Sequence, residues 1–171
     1  KNRLAALVYG DNNPNHPLIA IAAAARCGLN VVGVDIDRGK AEAIQRLFPR
    51  TQFQHYTKLA QYAFLRLLGL CFISFYPTEW IGTARQQISC AVTGTPCIGN
   101  HDSHTQHRLF PSLGCDIYDL DRMREHYERI LNPGEYERVS LYAREAAQFY
   151  NIENTKKRFM DAIEDAKKIK T

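Results

Sequence analysis

The chain has 171 residues, of which 45% are hydrophobic and 23% charged, with a formal net charge of +4. That suits one globular domain of ordinary size with a real core. The charge is too small and too dispersed for a nucleic-acid face, no apolar run reaches the ~20 residues of a membrane-spanning helix, and no secretory signal is visible.

Leu4–Tyr9 is a short apolar run closed by Gly10 and the turn-rich DNNPN. Pro17 suits the first turn of a helix, with Asn15 or His16 as its cap, and that helix (LIAIAAAARC) stops at Gly28. Val31–Asp35 reads as a second strand, Lys40–Leu47 as a helix closed by Pro49, and Gln52–Gln54 as a weak third strand. Leu59–Leu68 reads as a helix with Gly69 as its stop, and Cys71–Phe75 as a fourth strand. The continuous apolar character of that strand suits a sheet covered on both faces. Ala84–Val92 is helical, Cys97–Gly99 a strand, Thr105–Phe110 a short helix and Cys115–Tyr118 a sixth strand.

Three helices follow. Met123, Tyr127, Ile130 and Leu131 share a face of the first. The second opens with Asn132 as cap, Pro133 at the first position and Glu135 placed to reach back to the cap N–H. Its stripe is Tyr136, Val139, Ala143, Ala146 and Tyr150, and Phe159, Ile163 and Ala166 mark the inner face of the third. The alternation predicts an α/β, doubly wound, Rossmann-like parallel sheet of order 3-2-1-4-5-6 with additional C-terminal helices.

The stretch Phe72–Asn100 is the most informative. It reads as strand, polar loop, helix, Gly-Thr-Pro turn and strand. Its loop, with Thr78, Glu79, Trp80, Gly82 and Thr83, falls at the carboxyl edge of the sheet, where open α/β sheets bind ligands. A helix N-terminus follows that loop and attracts anions. The loops after strands one, four and five are expected to line one cleft.

The five cysteines, Cys27, Cys71, Cys90, Cys97 and Cys115, are odd in number and no pair has metal-ligand spacing. They read as reduced, buried thiols of a cytoplasmic protein. The chain opens with Lys1 rather than Met, and Leu4 already begins a strand. It therefore reads as a domain cut from a longer protein, although a processed N-terminus would look the same.

The order of parts resembles the C-terminal, donor-binding domain of the two-domain GT-B glycosyltransferases, especially the large retaining sugar-nucleotide family, glycosyltransferase family 4. The resemblance rests on Tyr76-Pro77, the loop and helix up to Gly94-Thr95-Pro96, and the strand Cys97–Asn100. The closing pattern also matches: Asp119, a short helix, then a helix with Ala143-Arg144-Glu145-Ala146 and Phe149-Tyr150.

The departures are specific. The family places a Glu, seven residues and a second Glu before the Gly-Thr-Pro turn. Here the second position falls on Ser89 and the first on Ile81, with Glu79 two residues upstream. The family's Arg and Lys after strand one are also missing: the stretch Tyr9–Pro17 offers His16, Asn12, Asn13 and Asn15.

The resemblance implies a nucleotide-sugar donor held between this domain and an N-terminal acceptor-binding domain. The implied reaction is glycosyl transfer of hexosyltransferase type to an acceptor hydroxyl, retaining, without metal or other cofactor. The isolated domain is expected to be inactive. Glu79, Arg85, Asn100, Thr105 and Gln106 are the expected substrate contacts, with His16 as a helper. Each also has a plainer reading. Glu79 suits a solvated loop acid, Arg85 a surface ion pair, and Asn100, Thr105 and Gln106 caps or turns.

His101, His104 and His107 form HxxHxxH, read as a hydrogen-bonding loop rather than a zinc site. Asp35 stands where a dinucleotide fold holds its ribose acid, but the first turn has a single glycine, Gly10. Trp80 suits either stacking or a loop anchor. The C-terminal Lys156, Lys157, Arg158, Lys167, Lys168 and Lys170 read as a solvated face, with a weak peripheral attraction to anionic membrane as the other reading. Two further functions stay open on the same residues. One is a non-catalytic, degenerate module for assembly or sugar recognition, favoured by Ser89. The other is a sugar-nucleotide epimerase half, favoured by Glu79 and the histidines.

Overall fold

A computed structural model of the chain describes residues 5–10, 15–36, 38–79 and 81–168. Six parallel strands form one sheet: β1 (Ala5–Tyr9), β2 (Asn30–Val34), β3 (Phe53–Tyr56), β4 (Ile73–Tyr76), β5 (Cys97–Asn100) and β6 (Gly114–Cys115). Their order is β3-β2-β1-β4-β5-β6, as the strand–helix alternation predicts. The helices are α1 (Asn15–Arg26), α2 (Arg38–Leu47), α3 (Gln61–Leu70), α4 (Arg85–Thr93), α5 (His104–Leu109), α6 (Leu120–Ile130), α7 (Pro133–Ala147) and α8 (Ile152–Lys168).

Burial follows position in the sheet. The central strands are apolar on both faces: Ala6, Leu7, Val8, Ile73, Phe75 and Ile98 are all buried. Ala6 sits opposite Val31 on one side and Ile73 on the other. Edge strand β3 alternates half-buried and exposed residues, which is why it reads weakly in the sequence. α1 packs beside α6, while α3 and α7 flank α4.

Polar links lock these layers. The Ser140 hydroxyl on α7 donates to the Gly94 carbonyl at 2.9 Å. Gly94 ends α4 in the left-handed conformation (φ 69°), where a side chain is strained. The Thr95 hydroxyl reaches the Leu68 carbonyl of α3 at 3.0 Å.

Several boundaries differ from the sequence reading. The third and fourth strands lie at Phe53–Tyr56 and Ile73–Tyr76 rather than Gln52–Gln54 and Cys71–Phe75. α3 runs through Gly69 to Leu70, because packing of the buried Leu68 outweighs the ~1 kcal/mol helix penalty of glycine. The sixth strand is only Gly114–Cys115; the Asp116 carboxylate accepts from the Tyr118 amide and turns the chain. α1 already begins at Asn15, so Asn15 and His16 lie inside its first turn rather than capping it. Asn132 caps α7 through the Gly134 amide at 2.9 Å, whereas Glu135 pairs with Arg138 instead of reaching back. In α8, Phe159 is 65% exposed rather than inward. Leu4, Asn12, Asn13, Trp80 and Lys170, and the side chains of Ala166, Lys167 and Lys168, lie outside the described residues.

Among the described residues all five cysteines are free thiols, and four of them are buried. Burial pushes the Cys27 thiol up to about 11 and the Cys115 thiol to about 12. No helix among the described residues is long and apolar enough to cross a membrane.

His126 on α6 is buried, and its ring N–H donates to the Gly114 carbonyl at 3.1 Å. Burial holds its pKa below the ordinary 6.5. The unfolded chain therefore takes up a proton first as pH falls, so stability is lost from 6.5 down to the folded value. The expected outcome is a parent that loses more stability than His126→Gln between about pH 7.5 and about 5.5, read by denaturant unfolding. Equal losses in the two proteins would remove His126 from the acid response.

Candidate functional site

The strand order reverses between β1 and β4, and there a cleft of about 370 Å³ opens at the carboxyl edge of the sheet. That volume lies in the ordinary range for a small-molecule site. Its floor is made by strand ends: Tyr9 of β1, Val34 of β2 with Asp35 directly after it, and Tyr76 of β4. One wall is the entry and first turn of α3, with Leu59, Gln61 and Phe64; the other is the start of α4, with Arg85, Gln86 and Ser89.

Tyr9 and Asp35 on the floor are held by local structure. The Tyr9 ring meets Phe64 edge-on, with centroids 5.8 Å apart. The Tyr9 hydroxyl donates to Asp35 Oδ2 at 3.3 Å, and the Lys58 amide to Asp35 Oδ1 at 2.8 Å. The Gly10 amide donates to the Val34 carbonyl at 2.7 Å, and a Cβ on Gly10 would overlap the Asp35 carbonyl. Only glycine lets the chain leave β1 this close to the end of β2.

The electrostatics favour an anion at the α3–α4 end. Neither Ala60 nor Ala84, the residues preceding these helices, supplies a side-chain cap, and neither first turn contains an acid. Unsatisfied N–H groups at a helix start carry positive partial charge. Arg85 adds a full charge, and its side chain makes no ion pair among the described residues. The Ser89 hydroxyl donates to the Arg85 carbonyl at 3.1 Å, so it is turned into its own helix.

Of the six residues singled out in the sequence, Arg85 alone lines this cleft. Glu79 is exposed and accepts from the Tyr118 hydroxyl at 3.1 Å, which pushes the Tyr118 phenol pKa up. Asn100, Thr105 and Gln106 are buried and bonded within the chain. The Asn100 amide donates to the Thr78 carbonyl at 3.0 Å while its oxygen accepts from the Asp102 amide. Thr105 Oγ1 accepts from the Ala84 amide at 2.8 Å and donates to the Gly82 carbonyl at 3.2 Å. The Gln106 oxygen accepts from Gln87, and its nitrogen donates to the Cys97 and Phe110 carbonyls. Asn100 and Thr105 hold Thr78, Gly82 and Ala84 beside the end of β5, while Gln106 ties α4 to β5. His16 is buried at the start of α1.

The expected single cleft is therefore divided. The loop after β5 borders a second, wider groove with His101, His104, His107, Arg108, Tyr142 and Phe149. Among the described residues no group of three or more His, Cys, Asp or Glu is arranged to hold a metal ion. His101 lies 3.2 Å from the Asp102 carboxylate. The aromatic members of the first cleft, Tyr9, Phe64 and Tyr76, were not anticipated. Two of them are the last residues of the switch-point strands, which is the signal that points to them.

No protein-family profile matches the sequence, and no curated protein does. Solved structures do. The α,α-trehalose 6-phosphate synthase of Burkholderia multivorans superimposes with a TM-score of 0.76 at 13% identity, covering 99% of this chain and 44% of that one. Sucrose-phosphate synthase from Thermosynechococcus elongatus gives 0.74 at 15% identity, over 96% and 46%. A glycosyltransferase involved in avilamycin A biosynthesis gives 0.60 at 19% identity, over 88% and 50%. The fold is that of a C-terminal-like domain of GT-B glycosyltransferases. The chain spans about half the length of these proteins or less.

The placement of Thr105 and Arg85 predicts opposite behaviour. Thr105→Val orphans the Ala84 amide and the Gly82 carbonyl and should cost about 1–3 kcal/mol, lowering Tm by about 2–4 °C for each kcal/mol. Arg85→Ala should leave Tm unchanged. A Thr105→Val protein as stable as the parent would mean the 78–84 loop is not held by this residue.

Proposed function

We infer that this chain is the donor-binding domain of a glycosyltransferase and that the switch-point cleft receives the nucleotide part of a sugar nucleotide. The convergence of two uncapped helix starts and Arg85 on that cleft carries the reading. A diphosphate leaving group gains negative charge as the glycosidic bond breaks, and fixed N–H dipoles and a guanidinium lower the energy of that state. Tyr9, Phe64 and Tyr76 offer aromatic surface to a base.

In this reading Arg85 faces the diphosphate. Glu79, steadied by Tyr118, faces the sugar side, with His16 in the first turn of α1 as a helper. Asn100 and Thr105 act through the loop they hold, and Gln106 through its bonds to α4 and β5. An N-terminal domain would close the cleft and bring the acceptor hydroxyl, so the domain alone binds without transferring. The fold likeness to sugar-transferring enzymes supports this assignment. Ser89, with its hydroxyl turned into the helix, favours a second reading, a binding module without transfer activity.

Calorimetric titration with UDP, GDP and ADP tests the cleft. At least one should bind at about millimolar concentration or tighter, and Arg85→Ala should weaken it about ten- to a hundredfold, the loss of a charge-assisted bond. If none of the three binds, or if Arg85→Ala binds as well as the parent, the donor-site reading fails.

A further inference from the structure

The cleft holds one carboxylate, Asp35, among its described lining residues. It directly follows β2 with its side chain exposed, and no ion pair among the described residues neutralises it. Its surroundings fix its direction. The Asp35 amide donates to the Tyr56 carbonyl at 2.9 Å, tying it to the end of β3. The Tyr9 hydroxyl and the Lys58 amide each take one carboxylate oxygen. Asp35 (φ 55°) and Lys58 (φ 52°) are the described non-glycine residues with positive φ. Left-handed backbone at non-glycine residues persists where the surroundings over-determine it, and it concentrates at ligand clamps.

Each carboxylate oxygen accepts two hydrogen bonds, so one acceptor position remains on each. Two parallel acceptors suit a ligand that presents two adjacent donors. The same negative charge repels phosphate and so orients a nucleotide, phosphates toward Arg85 and the helix starts, nucleoside toward β2. We propose that Asp35 is the specificity-determining acceptor of the cleft, taking a pair of adjacent hydrogen-bond donors on the nucleoside. The inference rests on the nucleotide reading above. Two parts of a nucleoside offer that pair: the 2′,3′-diol of ribose, and the N1–H and 2-amino edge of guanine. Uracil and adenine each present a donor group flanked by acceptors, which a carboxylate repels.

The test is calorimetric titration of the parent and Asp35→Asn with GDP, UDP and their 2′-deoxy counterparts. Asparagine tolerates the left-handed backbone and keeps one acceptor oxygen. If the diol is the donor pair, the parent prefers each ribonucleotide over its deoxy form by about tenfold or more and Asp35→Asn erases the preference. If the guanine edge is, the parent prefers GDP over UDP by about the same factor and the variant erases that instead. A parent with neither preference overturns the proposal whatever the variant does. A variant that keeps the parent's preferences, or weakens all four ligands equally, overturns it too, since equal loss marks a residue that only holds its loop. Binding without these preferences leaves the nucleotide reading standing, whereas no binding at all removes both.

Discussion

The Ser74 hydroxyl donates to the Leu7 carbonyl at 3.1 Å and accepts from the Gln86 amide at 2.9 Å, all buried at the centre of the sheet. This relay joins β1, β4 and α4, the three elements whose relative positions define the cleft. β1 and β4 are neighbours in space although two β-α units separate them in sequence, and their crossovers leave in opposite directions. The gap at the carboxyl edge follows from that topology. The relay then sets how α4 enters it, with Gln86 drawn inward and Arg85 left at the surface. Removing the Ser74 hydroxyl would take the acceptor from the buried Gln86 amide, at about 1–3 kcal/mol.

The fold was legible because its signals are redundant. Apolar strands of β1, β2, β4 and β5 alternate with helices, and any one of them misread by two residues leaves the order unchanged. The site was legible only in outline. Asn100, Thr105 and Gln106 are polar residues at the ligand edge, and composition cannot tell a side chain that meets a ligand from one that ties down a loop. Gln106 makes three bonds to its own chain, and no sequence spacing announces the Gln87 and Cys97 partners. Arg85 stands at the cleft because a long cation at a helix start beside the switch point has few ways to be buried.

Asp35 shows the reverse case. Set against a dinucleotide fingerprint, its one-glycine turn argues against a role. In the structure Gly10 itself lies so close to the end of β2 that a side chain on it would not fit, and Asp35 is brought against Tyr9 and Lys58. The cleft therefore has opposite charges at its two sides, an acid at β2 and a cation with helix dipoles at α4. A ligand that is negative throughout would be repelled at one side, and an uncharged one would gain little at the other. A molecule with an anionic tail and a donor-rich head satisfies both.

α8 marks where periodicity stops being informative. Phe159, Ile163 and Ala166 read from the sequence as the inner face of that helix. Ile163 is half-buried, but Phe159 is 65% exposed. The helix leans on the domain at the turn over 148–150, where Arg158 and Arg108 stack on opposite sides of the Phe149 contact at 3.6 and 3.7 Å from the ring centroid. A 3.6-residue repeat fixes which side of a helix is apolar. It carries no information about what lies against that side, so the same pattern that correctly places α7 on the core misplaces Phe159.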